Sequence, residues 1–283
     1  FRHNQGWLID TLLVELSSGK RTNVTAVDRV SNYNAGLFFW PGNPKKLGFT
    51  PLINGISTPF SMDLDGHHKQ DLSTGQSGFT YGFEASPDGK RICYHKNYQV
   101  VVADANGSNA ITINTGNPFN FAPRWSPDGR WVLFVSGEHY NCHPYIVAAD
   151  GSGLKKVADR GGYRGVMEFL DVPDYHNGSS DVPTWSRDSR NIFFTAKRDD
   201  RVELMRADLD GNVTQLTQSS PGVIHYHPNP SPDGRWIVFG STRSHGRRQL
   251  FVMPTTGGEP RQITKVDEGW AAMHAHWRPH QKP

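Results

Sequence analysis

Only two cysteines, Cys93 and Cys142, occur in 283 residues, which excludes a disulfide framework. One bridge between them is open on numbers alone; two free, buried thiols are expected. No run of 18 apolar residues exists, so no membrane span is encoded. Charge of one sign is scarce: Lys+Arg 30 against Asp+Glu 27 leaves +3. No lysine-arginine cluster exceeds three residues, so no nucleic-acid partner is expected. No G-x-S-x-G elbow is present, which removes the usual motif for serine hydrolysis. The chain opens Phe1-Arg2-His3 with neither Met nor a signal-like apolar run. The start is therefore expected to be missing, and the sequence assigns neither compartment nor oligomeric state.

Turn formers and aromatics are plentiful. Gly 29 and Pro 19 together make about 17% of the chain, above the roughly 12% of average usage. Trp 8, Tyr 9 and Phe 15 argue against disorder. The turn formers recur in a pattern. Ser86-Pro-Asp-Gly89 returns as Ser126-Pro-Asp-Gly129 and Ser231-Pro-Asp-Gly234, with degenerate copies Ser186-Arg-Asp-Ser189 and Pro41-Gly-Asn-Pro44. Anchors before each copy fall at Trp40, Ala85, Trp125, Trp185, Pro230 and Trp277, a period of about 47 residues.

Each repeat has one grammar. A β-branched or aromatic run follows the turn, as in Trp131-Val-Leu-Phe134 and Asn191-Ile-Phe-Phe194. An Asx-Gly or Gly-Gly turn then separates two more runs, as at Asp150-Gly151 and Asp210-Gly211. Four strands per repeat predict an all-β fold, a six-bladed β-propeller forming one domain over 1–283. Third and fourth strands are expected at Thr11–Leu16 and Arg21–Thr25, and a lone first strand around His274 to Arg278. The two ends would then share one blade and close the ring. The 60-residue spacing from Trp125 to Trp185 marks an insertion loop at about 160–180, expected to close over the channel mouth. With its W-S-P-D-G turn, the repeat resembles the TolB-type propeller, which includes interaction proteins, peptidase domains and lyases, and whose fold leaves function open.

Thirteen histidines are distributed unevenly. Blade geometry puts ten of them at first-strand starts or second-strand ends, on one face. Two readings follow: hydrogen-bonded imidazoles filling a polar channel, or a metal or acid-base site. His225-Tyr-His227-Pro228 is the sharpest local pattern. Strand residues two apart share a side, so His225 and His227 could chelate one ion. His274 stands three residues before its anchor, as His227 does, and neighbouring blades would bring it alongside. His276 lies two further on. These four are the expected ligands of a divalent metal, Zn, Mn or Fe.

The H-x-H-P-x-x-S-P-D-G arrangement resembles oligogalacturonate lyase, a TolB-type propeller that holds a divalent ion, typically manganese, on histidines. That resemblance implies a metal-dependent lyase splitting an acidic, uronate oligosaccharide by β-elimination. His176 or His143 would serve as base, and Arg164 or Arg243 would clamp the sugar carboxylate. The alternative is a non-catalytic TolB-like propeller that binds a protein or peptide. A third reading is metal-dependent hydrolysis.

Overall fold

The computed structural model describes residues 2–3, 6–7, 11–25, 34–53, 56–73, 75, 78–80, 82–174 and 178–277. Among them the chain is antiparallel sheet with one short helix, Val166–Leu170. The repeat chemistry explains why. In Ser126-Pro-Asp-Gly129, the Ser126 hydroxyl donates to Asp128 Oδ1 at 2.6 Å and accepts the Trp131 N–H at 3.0 Å. Asp128 Oδ1 also accepts the Arg130 N–H at 3.1 Å. The copies at Ser86 and Ser231 repeat these bonds. The degenerate copy does too, from Ser186 to Asp188 and Asn191. There Ser189 takes φ 61°, where Gly89, Gly129 and Gly234 take 71° to 72°. The serine and aspartate therefore define the turn, and glycine only eases its backbone.

Two compact units divide the described chain. The first contains the paired strands Leu12–Val14 and Arg21–Asn23 and the sheet from Asn34 to Asp71. It also contains the four-stranded sheet Phe83–Ala85, Arg91–Lys96, Gln99–Asp104 and Ile111–Ile113. Its core joins successive repeats: Trp40 and Leu72 pack with Phe83, Ile92, Tyr94 and Val101. The anchor tryptophan adds a polar link, because Trp40 Nε1 donates to Gly89 O at 3.0 Å.

The second unit holds two complete four-stranded sheets. One is Thr184–Trp185, Asn191–Arg198, Arg201–Asp208 and Val213–Gln215; the other is His225–Pro230, Trp236–Ser244, Arg247–Pro254 and Arg261–Gln262. The hairpin of Trp131–Glu138 with Asn141–Ala148 belongs here as well. Leu133, Ile146, Trp185, Phe194 and Met205 form one core, and Phe193, Leu204, Ile237, Phe239 and Phe251 another. These are propeller blades, and the fold is the all-β, six-bladed type that the repeat predicts.

One local expectation changes. Residues 271–277 carry no strand. Their polar groups meet single partners instead of a ladder: Ala272 N–H donates to Arg248 O, and Ala275 O accepts from Asn229 Nδ2. Residues 278–283 lie outside the described residues. Cys93 and Cys142 are free and buried, as expected.

Candidate functional site

The paired strands from His225 and Trp236 set the geometry. Their register shifts between Tyr226 and Asn229, and His227 takes φ 50° inside that bulge. A bulge breaks the two-residue alternation of side chains. His225 and His227 therefore part company.

His225 is fully buried beside Glu203. Its Nε2 lies 2.8 Å from Ser219 Oγ and 3.6 Å from Glu203 Oε2. Glu203 also accepts the Thr217 hydroxyl at 2.5 Å and the Ser219 N–H at 2.8 Å. Burial pushes the Glu203 carboxyl up, but His225 and these donors outweigh it, and the net direction is down. Burial holds the His225 imidazole below its ordinary value, against the pull of Glu203. Serine and carboxylate both meet the same imidazole nitrogen. A relay needs them on opposite nitrogens, so this trio is structural.

His227 turns to Asp181. Asp181 Oδ1 accepts the His227 N–H at 3.2 Å and lies 3.0 Å from its Nδ1. Asp181 Oδ2 accepts the Tyr163 hydroxyl at 2.8 Å and the Thr195 hydroxyl at 2.6 Å, with Arg160 3.8 Å away. Burial would raise this carboxyl, but His227, Arg160 and Thr195 hold it well below the usual carboxylate range. Arg160 is itself buried. It donates to Thr195 O at 2.8 Å and Thr195 Oγ1 at 3.0 Å, and lies 4.3 Å from the centre of the Tyr163 ring. Burial pushes the Tyr163 hydroxyl well up, and Asp181 adds to the effect.

A stacked pair of imidazoles results. The His227 and His274 rings lie 4.4 Å apart at 27°. Phe169, from the insertion helix, stacks on Tyr226 at 4.7 Å and meets His227 edge-on at 5.0 Å. Tyr226 hydroxyl donates to Ala272 O at 3.0 Å, which ties the His274 segment to the same strand. His227 is half-buried and His274 is exposed.

The other expected residues fall elsewhere. His143 accepts the Arg160 N–H on Nδ1 at 3.2 Å and faces Asp159 at 3.6 Å; burial lowers its pKa. Arg164 donates to Glu168 at 2.9 Å, and Arg243 to Glu259 at 3.3 Å. Each expected sugar clamp thus already holds a carboxylate of this chain. His276 is exposed. His176 lies outside the described residues. Sequence reasoning missed Asp181 and Arg160. The readable signal was Asp181's position, 46 residues before His227, which is one repeat.

The donor set does not fit the expected metal. His225 is engaged by Glu203 and Ser219, and Asp181 occupies Nδ1 of His227. No group of three or more His, Cys, Asp or Glu able to hold an ion forms among the described residues. No helix among them is long and apolar enough to cross a membrane.

Known proteins give a consistent likeness. Over 163 residues, 57% of this chain, the sequence is 31% identical to the Tol-Pal system protein TolB of Bordetella pertussis, covering 33% of that protein. The chain spans from 22% to 62% of the length of the curated relatives it matches. The crystal structure of TolB from Acinetobacter baumannii aligns with a TM-score of 0.53 at 19% identity, over 88% of this chain and 57% of that one. Oligogalacturonate lyase in complex with manganese aligns with a TM-score of 0.64 at 16% identity, over 94% and 75%. At 16% identity the likeness to the lyase is one of fold alone, whereas TolB of Bordetella pertussis is a relative in sequence, at 31% identity. The expected uronate lyase is therefore corrected to a TolB-like propeller. The TolB beta propeller domain matches residues 95–282, about two thirds of the chain, and the chain belongs to that family.

Proposed function

We propose that this chain is a non-catalytic, TolB-like binding propeller that docks a peptide or protein segment on the surface presenting His227 and His274. One observation carries the reading. Asp181, the buried acid nearest the paired imidazoles, accepts from Tyr163, Thr195 and His227 and is spent on holding them in place. A group pinned by so many partners is poorly placed to exchange protons with a substrate. It is well placed to make the surface rigid. Preorganised aromatic surfaces lose little entropy on binding, and histidine rings offer both apolar faces and hydrogen-bonding edges. The sequence relationship to TolB supports the same reading.

Arrayed peptides, followed by calorimetry on the best binders, test it. His227→Ala and His274→Ala should each weaken binding roughly tenfold or more, as central contacts do. Their unfolding midpoints should stay near that of the parent chain. Unchanged affinity in both variants would sink the assignment of this surface.

A further inference from the structure

With His227 and His274 taken as the docking surface proposed above, the chain also decides what kind of group that surface can receive. The decision starts at Thr195. Its hydroxyl oxygen accepts from Arg160 Nη2 at 3.0 Å, so its own proton is left to go to Asp181 Oδ2, 2.6 Å away. The Tyr163 hydroxyl reaches the same oxygen at 2.8 Å, and the His227 main-chain N–H reaches Oδ1 at 3.2 Å. Every partner of this carboxyl is a donor, which is what a carboxylate requires, since it can only accept. The same partners hold Asp181 ionised against the pull of burial.

His227 Nδ1 stands 3.0 Å from that carboxylate, at Oδ1, and must therefore carry a proton. A neutral imidazole has only one N–H. Nε2 is then a bare acceptor, because the bond at one ring nitrogen sets the state of the other. Turning the ring over would put carbon against Asp181 and forfeit the bond. The ring is also packed in place, with His274 on its face at 4.4 Å and Phe169 against it at 5.0 Å. Among the described residues, the hydrogen bonds of His227 run to Asp181 alone. The side chain is 20% exposed, so solvent reaches it. His225 Nδ1 and Arg160 Nη1 also lack partners, but both are buried within the chain.

We propose that His227 Nε2 is a fixed hydrogen-bond acceptor that selects a docked segment carrying a side-chain N–H or O–H donor at that contact and rejects one carrying a carboxylate there. An amide, a hydroxyl or an ammonium complements the bare nitrogen. A carboxylate would set two acceptors face to face, with the charge of Asp181 behind them, and both would lose water without gaining a bond.

Two measurements test this. The first needs no ligand. With ¹⁵N-histidine in the native protein at pH 8, long-range nitrogen–proton correlations report which ring nitrogen holds the proton, and the signals that vanish in His227→Ala assign the residue. The Nδ1-protonated form is expected; the Nε2-protonated form overturns the proposal whether or not a peptide binds. The second uses the array-selected peptides. Each donor side chain is exchanged in turn, Asn→Asp, Gln→Glu, Ser→Ala, Thr→Val or Lys→Met. One exchange should cost about tenfold or more in affinity, as an unpaired polar group does. That cost should disappear in His227→Ala, where the acceptor is gone. Exchanges that cost the same in the parent chain and in His227→Ala at every position overturn the selectivity and leave peptide docking standing. If no peptide binds, the docking reading fails and the selectivity falls with it.

Discussion

Burial alone would raise the Asp181 carboxyl, and its partners hold it below the ordinary value instead. Its folded pKa lies below the unfolded value of about 3.9, so the carboxylate contributes stability above about pH 4. That contribution is lost as pH falls through the lower, folded value. Asp181→Asn should cost about 3–5 kcal/mol at neutral pH, because Arg160 then stays buried without its partner. Urea unfolding of both chains across pH should show this gap narrowing below pH 4. Asp159 and Glu203 are also depressed, but both chains retain them, so the difference isolates Asp181. A gap constant from pH 3 to 7 would contradict the assignment. The thiols give a second residue-scale prediction. Burial pushes Cys142 up to about 11 and Cys93 well above its ordinary value. Thiolate is the reactive form, so neither should react with a disulfide reagent in native protein at pH 8. Both should react once the chain is unfolded. Rapid modification of the native protein would show that one of them is open to solvent.

The elements of the propeller could be read from local chemistry, and the site could not. Serine and aspartate form each turn through bonds within a few residues, so the repeat betrays the strands on either side. The site depends on bonds that span repeats. Asp181 meets His227 one repeat away, and Arg160 meets Thr195 across 35 residues. Parity along the strand puts His225 and His227 on one side, but the bulge after Tyr226 separates them. The insertion loop was expected to close over a channel mouth. What the structure shows is that its helix brings Phe169 against Tyr226 and His227, while residues 175–177 lie outside the described ones. Tyr226 lies close over the opposite strand: a Cβ at Gly240 would stand 1.9 Å from its ring. Gly240→Ala should therefore destabilise by about 1–3 kcal/mol, the usual cost of overpacking. It should also loosen the Tyr226 bond to Ala272 and with it the His274 segment. Chemical denaturation and the hydrogen exchange of residues 271–277 report the two effects. Parent-like exchange there, in a destabilised variant, would uncouple the two.

At the scale of the whole molecule, a TolB family propeller carries its histidines as structure and as surface. His225 and His143 are buried and bonded within the chain, whereas the His227 and His274 rings stack 4.4 Å apart where solvent can reach. On the proposed function this surface binds and does not convert. Calorimetric titration with array-selected peptides, coupled to mass spectrometry of each recovered peptide, tests both halves at once. Short uronate oligomers in a parallel cell would be followed by ultraviolet absorbance. The account predicts saturable binding, weakened about tenfold or more by His227→Ala or His274→Ala, with every peptide recovered intact and no absorbance gain. Cleaved peptide, or rising absorbance from the uronate, in the parent chain but not in the histidine variants would contradict it.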